Sequence, residues 1–585
     1  MRHPRWLVSA TILLLCGSLG LAVQAGAQVR VPSRLVVRTA SDASSSLHYA
    51  AERLAAEMRG LYGLRVRVVA GDDEQAVGGS EEEGVITLRE DKAITLLPVP
   101  AGLANAREAC GPWRPEAWRI TTTAEPFEVV IAGVDGASAW YGACEWLDSL
   151  RPGAGGVPFS AIGEHTGSPT LALRVTRPIR ASGPSSSGPE LEADLDWWAR
   201  WRMNVARIDS RPDEVMRQVL AEAHRRGIRL LLGLGVRTLC AADDAAVAER
   251  VGEMVRFLDL GGDGVSMLWD DLPHARAEGH CDRCRERFGP DSMAQEMVHV
   301  LEALCRAAEG RPKPPIIAWC PSHYSASRYP AFTDERYYAV VGASALVRER
   351  TCLFHCEYRP DRVDLLDRFG LFGRIWWYNG LRSVFSNCQR WPTQREMKLD
   401  LPKDVMPKEP DFPHFDWGWK MGLGIAPDGA IIPPPEETWV AMRALPAHFA
   451  GFYPCTPTHP YHAAVSGLFA LAPERFDQAE ADRVVFRAMF GPAGEGPARR
   501  WSDLYNQLQI WLAQAWAGSP RRQDRAQAIE WLEGMAAARS ELVAVAAQGR
   551  HVLDAGLVRE VLERMDAARE QVEKVYQQLA ATQPE

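Results

Sequence analysis

The sequence predicts a (β/α)8 TIM barrel, preceded by a small α+β domain and followed by a helical bundle. Three observations carry that expectation. Between Thr170 and Phe476 the apolar pattern alternates between strand-length runs and single amphipathic helices, which implies parallel β-structure. No glycine-rich phosphate loop follows any of those strands, which counts against an open nucleotide-binding sheet and for a closed barrel. From Asp477 onward the periodicity is helical.

In chain order, Met1-Arg2-His3-Pro4-Arg5 is a short basic stretch and Trp6 to Val23 is apolar and free of charge. Ala25-Gly26-Ala27 then supplies a small-x-small cleavage pattern, so residues 1–27 are expected to be a signal peptide and the protein to be secreted or periplasmic. No later segment is long and apolar enough to span a membrane.

Residues 28–169 form the expected α+β N-terminal domain. Leu35 to Arg38 reads as a strand. Leu47, Ala51, Leu54, Met58 and Leu61 recur at three- and four-residue steps, as on one face of a helix that breaks at Gly60 and Gly63. Strands follow at Leu64–Val69 and Val85–Leu88, then a hairpin-like pair at Trp118–Thr122 and Phe127–Ala132, and a helix through Trp140–Leu150.

Residues 170–476 are the expected barrel. Its strands are read at Asn204–Ile208, Ile228–Leu234, Gly264–Trp269 and Ile316–Cys320, with helices at Asp213–Arg226, Asp243–Leu260 and Met293–Ala308. Residues 477–585 form the expected helical domain, with long periodic segments at Trp501–Trp516, Arg525–Ala547 and Leu557–Leu579. Their charges read as a solvated face.

Composition narrows the function classes. A formal net charge of -9 argues against nucleic acid as a partner, because phosphate binding requires concentrated Lys and Arg. Twenty tryptophans and 40 prolines fit a protein with many structured loops. Trp serves both as core material and as a platform for sugar rings. There is no nucleophilic-serine elbow and no His-Glu-x-x-His zinc motif.

The strongest local signal is Val265-Ser266-Met267-Leu268-Trp269-Asp270-Asp271-Leu272-Pro273. An apolar strand there delivers two adjacent carboxylates where the chain turns into a loop. The C-terminal ends of barrel strands form the active-site face. Two acids so close repel, so that one tends to keep its proton while the other ionises, which suits acid/base work. A helix cap or a loop ion pair is the alternative use of Asp in that place.

Three further strand ends carry polar or aromatic groups: Asp209-Ser210-Arg211-Pro212-Asp213, Cys320-Pro321-Ser322-His323-Tyr324-Ser325, and Trp376-Trp377-Tyr378-Asn379-Gly380. Arg211, Tyr324, Trp377 and Asn379 are the candidate substrate-binding residues, and Asp270 and Asp271 the candidate catalytic pair. Asp213 in the same place fits a helix cap, Pro321 an ordinary turn, and the tryptophans core packing. His280-Cys281-Asp282-Arg283-Cys284 has the spacing of half a zinc site. A closed site needs four ligands and no second Cys-x-x-Cys occurs, so a disulfide or two ordinary loop cysteines are preferred and no metal is assigned.

Taken together and in this order, the motifs resemble glycoside hydrolase family 84, the bacterial β-N-acetylglucosaminidases and O-GlcNAc hydrolases. Ile131-Ala132-Gly133-Val134-Asp135-Gly136 followed by Trp140-Tyr141-Gly142 resembles the domain preceding the barrel in families 20 and 84. The resemblance implies that Asp270 orients the 2-acetamido group of the substrate, whose carbonyl oxygen attacks the anomeric carbon. It implies that Asp271 is the general acid and then the general base. This is the substrate-assisted route of a retaining glycosidase, in which no enzyme carboxylate becomes glycosylated. Tyr324 falls on an active-site Tyr of the family, Asn379 on a sugar-binding Asn behind Trp377, and Arg211 where the family has a Lys. The implied partner is a glycan or glycoconjugate containing N-acetylhexosamine, with no cofactor.

The chain also departs from the family. Where the family's first barrel strand is Gly-rich, this chain reads Leu173-Arg174-Val175-Thr176-Arg177-Pro178-Ile179-Arg180. Val384 stands where an Asp holds sugar hydroxyls, and an expected Asn is replaced near Cys455-Thr456-Pro457. Losing those hydrogen bonds relaxes sugar identity. Two rival readings follow: a barrel hydrolase for another sugar, such as a uronic acid paired with Arg211, and an inactive barrel that binds carbohydrate.

Overall fold

The computed structural model describes residues 27–71, 83–94, 116–153, 156–179, 189–209, 214–236, 238–269, 281–289, 292–322, 334–355, 360–378, 424–425, 431–432, 451–454, 460–516, 525–552 and 555–582. The expected signal peptide, apart from Ala27, lies outside them. No helix among the described residues is long and apolar enough to cross a membrane.

The chain opens with β1 (Gln28–Arg30) and β2 (Arg34–Thr39), then α1 (Ser45–Tyr62), β3 (Arg65–Ala70), β4 (Glu83–Glu90), β5 (Trp118–Thr123), β6 (Glu128–Gly133) and α2 (Gly136–Ser149). Short strands β7 (Arg151–Pro152), β8 (Pro158–Ala161) and β9 (Gly163–Gly167) follow. Six strands make one mixed sheet in the order β3-β2-β4-β6-β5-β9. β5 and β6 pair antiparallel, as the hairpin-like pattern predicts. Ser44 caps α1, its side chain accepting the Leu47 amide, and Gly63 at φ 66° ends it in the left-handed conformation that glycine adopts without cost.

The barrel strands are β10 (Leu173–Ile179), β11 (Val205–Ile208), β12 (Arg229–Leu234), β13 (Gly264–Leu268), β14 (Ile316–Cys320), β15 (Cys352–His355), β16 (Arg374–Tyr378) and, after the short pair β17 (Gly424–Ile425) and β18 (Ile431–Ile432), β19 (Gly451–Pro454). The eight close into a ring, with β19 pairing both β16 and β10, and every pairing is parallel. Between them run α3 (Pro189–Arg200), α4 (Glu214–Arg225), α5 (Asp244–Asp259), α6 (Asp282–Phe288), α7 (Ser292–Ala307), α8 (Asp334–Ala343), α9 (Ala345–Arg350) and α10 (Pro360–Arg368), with α11 (Pro460–Leu471) after β19. The fold is a (β/α)8 barrel.

Strand alternation divides its core in two. Val175, Val205, Leu231, Ile316, Ala318, Cys320, Cys352, Phe354 and Ile375 pack together inside the ring. Their strand neighbours Ala206, Ile208, Leu230, Leu232, Val265, Met267, Ile317 and Trp319 face the surrounding helices. This is the period of two that a strand imposes, applied around a closed sheet.

Among the described residues four helices follow: α12 (Gln478–Phe490), α13 (Glu495–Trp516), α14 (Arg525–Ala546) and α15 (Ala555–Thr582). Trp118, Trp140, Trp146, Trp201, Trp319 and Trp501 are among the most deeply buried side chains, so for these six the core reading of tryptophan holds.

A buried ionic seam joins the α+β layer, the barrel and α12. Arg174 donates to Glu116 at 2.6 Å, and Asn204 Nδ2 to the other oxygen of Glu116 at 3.0 Å. Arg200 bridges Glu57 at 2.8 Å and Asp148 at 2.6 Å, while Arg202 takes the second oxygen of Asp148 at 2.6 Å. Arg483 and Arg487 of α12 donate to the Asp148 carbonyl. Burial alone raises the Asp148 carboxyl, but the two guanidiniums outweigh it and hold its pKa below the usual range.

A second buried acid anchors the barrel floor. Asp263, just before β13, accepts the Leu230 amide at 2.9 Å, lies 2.8 Å from His224 Nε2 and pairs with Lys313. Burial works against its charge, yet His224 and Lys313 hold the carboxyl down at about 2. A folded pKa below the unfolded one means stability that is present above the unfolded value and is lost as pH falls toward the folded value. Wild-type stability should therefore drop by about 2 kcal/mol from this group between roughly pH 5 and pH 2. Denaturant unfolding across that range should show a shallower dependence for Asp263→Asn, and an unchanged slope would refute the assignment.

Candidate active site

The C-terminal ends of the eight strands form one mouth, and the inward positions of each strand decide what lines it. On β13 the inward residues are Ser266 and Leu268, paired across to Gly233 on β12 and to Ala318 and Cys320 on β14. On β11 the inward sequence runs Val205, then Arg207 opposite Leu231. Above Arg229, which stands opposite Val205 at the foot of the ring, the packed inward residues are apolar, and polarity returns at Arg207.

There Arg207 grips Asp209, with Nε to Oδ1 at 2.8 Å and Nη2 to the same oxygen at 2.7 Å. The arginine is mostly buried and the carboxylate is half exposed toward the mouth. Gly233 makes room for the pair: a Cβ there would lie 1.9 Å from Asp209 Oδ1 and 2.8 Å from Arg207 Nε. Ser266 Oγ, on the strand beside Gly233, is buried and has no hydrogen-bond partner among the described residues. A guanidinium, a carboxylate and a hydroxyl on adjacent strands can hydrogen-bond several oxygens of a polar ligand.

Gly233→Ala tests this cradle. The added methyl must displace the pair, and overpacking of this kind costs about 1–3 kcal/mol. In an Arg207→Ala/Asp209→Ala background the cost should fall toward zero in denaturant unfolding. The same cost in both backgrounds would place the clash elsewhere.

The sequence-predicted site residues stand as follows. Asp270 and Asp271 lie outside the described residues, which end on this strand at Trp269, whose amide donates to Cys320 O at 3.1 Å. Arg211, Tyr324 and Asn379 also lie outside them. Trp377 belongs to β16 opposite Tyr453, with its side chain outside the described residues. Arg207, Gly233 and Ser266 were not anticipated from sequence. The available signal was a single cation within the apolar strand Val205-Ala206-Arg207-Ile208, at the parity of the inward residue Val205.

The half zinc motif gains a member. Cys240, in the loop after β12, lies 3.4 Å from Cys281 Sγ and 3.7 Å from Cys284 Sγ. The expectation that assigned no metal rested on two thiols, and three converge. A cavity of about 480 Å³ lies between β5, β9, α2 and the α11–α12 turn, lined by Trp146, Asp148, His165, Arg202, Leu468 and Phe476 among others. Arg202 precedes β11, so this space belongs to the seam at the opposite end of the strands from the mouth.

No protein-family model matches the chain, and no curated protein matches it. Among solved structures it is similar to CpGH84B, over 94% of this chain and 89% of that one, with a TM-score of 0.54 at 10% identity. It is similar to CpGH84D over 94% and 91% of the two chains, with a TM-score of 0.50 at 9% identity. A GH138 enzyme targeting pectin rhamnogalacturonan II aligns over 94% of this chain and 70% of its own, with a TM-score of 0.48 at 11% identity. At such identities the likeness is one of fold, a glycoside-hydrolase-like barrel with its flanking layers.

Proposed function

We propose that the chain is a secreted, retaining β-N-acetylhexosaminidase-like glycoside hydrolase, built as the four segments 1–27, 28–169, 170–476 and 477–585. In this reading Asp270 orients the substrate's acetamido group for attack on the anomeric carbon, and Asp271 protonates the leaving oxygen and then activates water. Arg211, Tyr324, Trp377 and Asn379 hold the sugar. The observation that carries the reading is the position of β13: its last described residues reach the mouth two and one positions before the Asp pair. Leu268 faces inward at the end of that strand, so the chain arrives at the mouth immediately before the Asp pair in sequence. Two structures of like fold bear GH84 in their names, the family whose motifs the sequence resembles.

The test is hydrolysis of an aryl β-N-acetylglucosaminide by the purified protein, with inhibition by a thiazoline mimic of the cyclic intermediate. Hydrolysis that the mimic does not inhibit would refute substrate assistance.

A second reading is a hydrolase for an acidic sugar, whose carboxylate would pair with Arg211, or with the inward Arg207 in exchange for Asp209. Turnover of an aryl β-glucuronide in preference to the N-acetylglucosaminide would decide for it.

A further inference from the structure

We infer that Cys240, Cys281 and Cys284 form a structural site for zinc, which pins the loop after β12 to the start of α6. The three Sγ atoms all lie within 4.8 Å of one another, the single group of three potential ligands of this kind among the described residues. A tetrahedral zinc with Zn–S bonds of about 2.3 Å sets its sulfurs roughly 3.8 Å apart. The separations of 3.4 and 3.7 Å from Cys240 approach that edge length.

The way the thiols are presented fits an ion better than a disulfide. Cys240 is nearly equidistant from its two partners, as three ligands around one centre are. A disulfide would join two of them at about 2.05 Å and leave the third thiol odd. Cys281 immediately precedes α6 and Cys284 lies in its first turn, so one helical turn supplies two sulfurs. The same two chain segments are already apposed, with Arg287 donating to Ala242 O at 3.1 Å and pairing with Asp244 at 2.7 Å.

Each thiol gives up its S–H proton to solvent as its sulfur binds, and a nitrogen or oxygen donor completes the four-coordinate shell. The consequence for the fold is local. The chain leaves β13 at Trp269, whose amide is bonded to Cys320 O, and Cys281 at the metal fixes the start of α6 on the same side of the barrel as the mouth.

The experiment uses the full chain, purified without chelator or reductant. We expect about one zinc per chain by elemental analysis. We also expect one equivalent of cobalt to replace it and give the near-ultraviolet thiolate-to-cobalt charge-transfer band of a tetrahedral site. Cys240→Ser should reduce bound metal at least tenfold. Because that variant could lose its fold instead, the wild-type cobalt spectrum is decisive. Loss of two free thiols to a disulfide within the trio, or a reduced trio that gives no such band with cobalt, overturns the proposal.

Discussion

Asp271→Asn should cut turnover of β-N-acetylglucosaminides with poor leaving groups by roughly 10²- to 10⁴-fold, the usual contribution of general acid–base catalysis. Activated aryl glycosides should suffer far less, because a phenolate of low basicity departs without a proton. Asp270→Asn should impair both classes, since formation of the cyclic intermediate precedes completion of either departure. If the two residues are loop caps instead, both variants lose stability while turnover per folded molecule stays unchanged. The check is kinetics on both substrate types beside thermal unfolding of each variant. Near-wild-type turnover by folded Asp271→Asn on a poor leaving group would remove Asp271 from the chemistry.

The second large effect concerns stability. Asp148→Asn should destabilise the protein by about 3–5 kcal/mol, the cost of stripping a partner from buried charges. Arg200 keeps Glu57, but Arg202 has no other carboxylate within its described ion pairs and is left charged in the interior. Guanidinium unfolding reads the loss directly. Arg483 and Arg487 of α12 bind the main-chain carbonyl of the same residue, which the substitution keeps, so hydrogen exchange should rise at the start of β11 beside Arg202 and not in α12. A loss below about 1 kcal/mol would mean the ionic seam has been overvalued here.

The elements that sequence reading found are those with a strong period. Helix α1 and strands β12 and β14 show clean apolar spacing, and their observed bounds fall within two residues of those expected. Strands β9, β15 and β19 were not named in advance. β9 reads Gly-Glu-His-Thr-Gly on an exposed edge, and β15 and β19 have four residues each, too few to display alternation. α3 begins at a proline and mixes acids with two tryptophans, so its apolar face is hard to see. A strand end with an unusual run, as at Asp270-Asp271, can be nominated from sequence alone. The Arg207–Asp209 cradle could not, because it depends on what a neighbouring strand leaves out. Gly233 has meaning only once Arg207 and Asp209 stand opposite it. Likewise Cys240 is separated by 41 residues from Cys281, and only the closure of β12 against β13 brings their loops together.

The side chains packed inside the ring also govern traffic. Leucine, isoleucine, valine and phenylalanine side chains fill the ring below the mouth, so the barrel is plugged, not a pore. Any ligand taken up at the strand ends must leave by the way it came. Arrival of the next molecule and departure of the last are then mutually exclusive, and a released product competes with fresh ligand for one doorway.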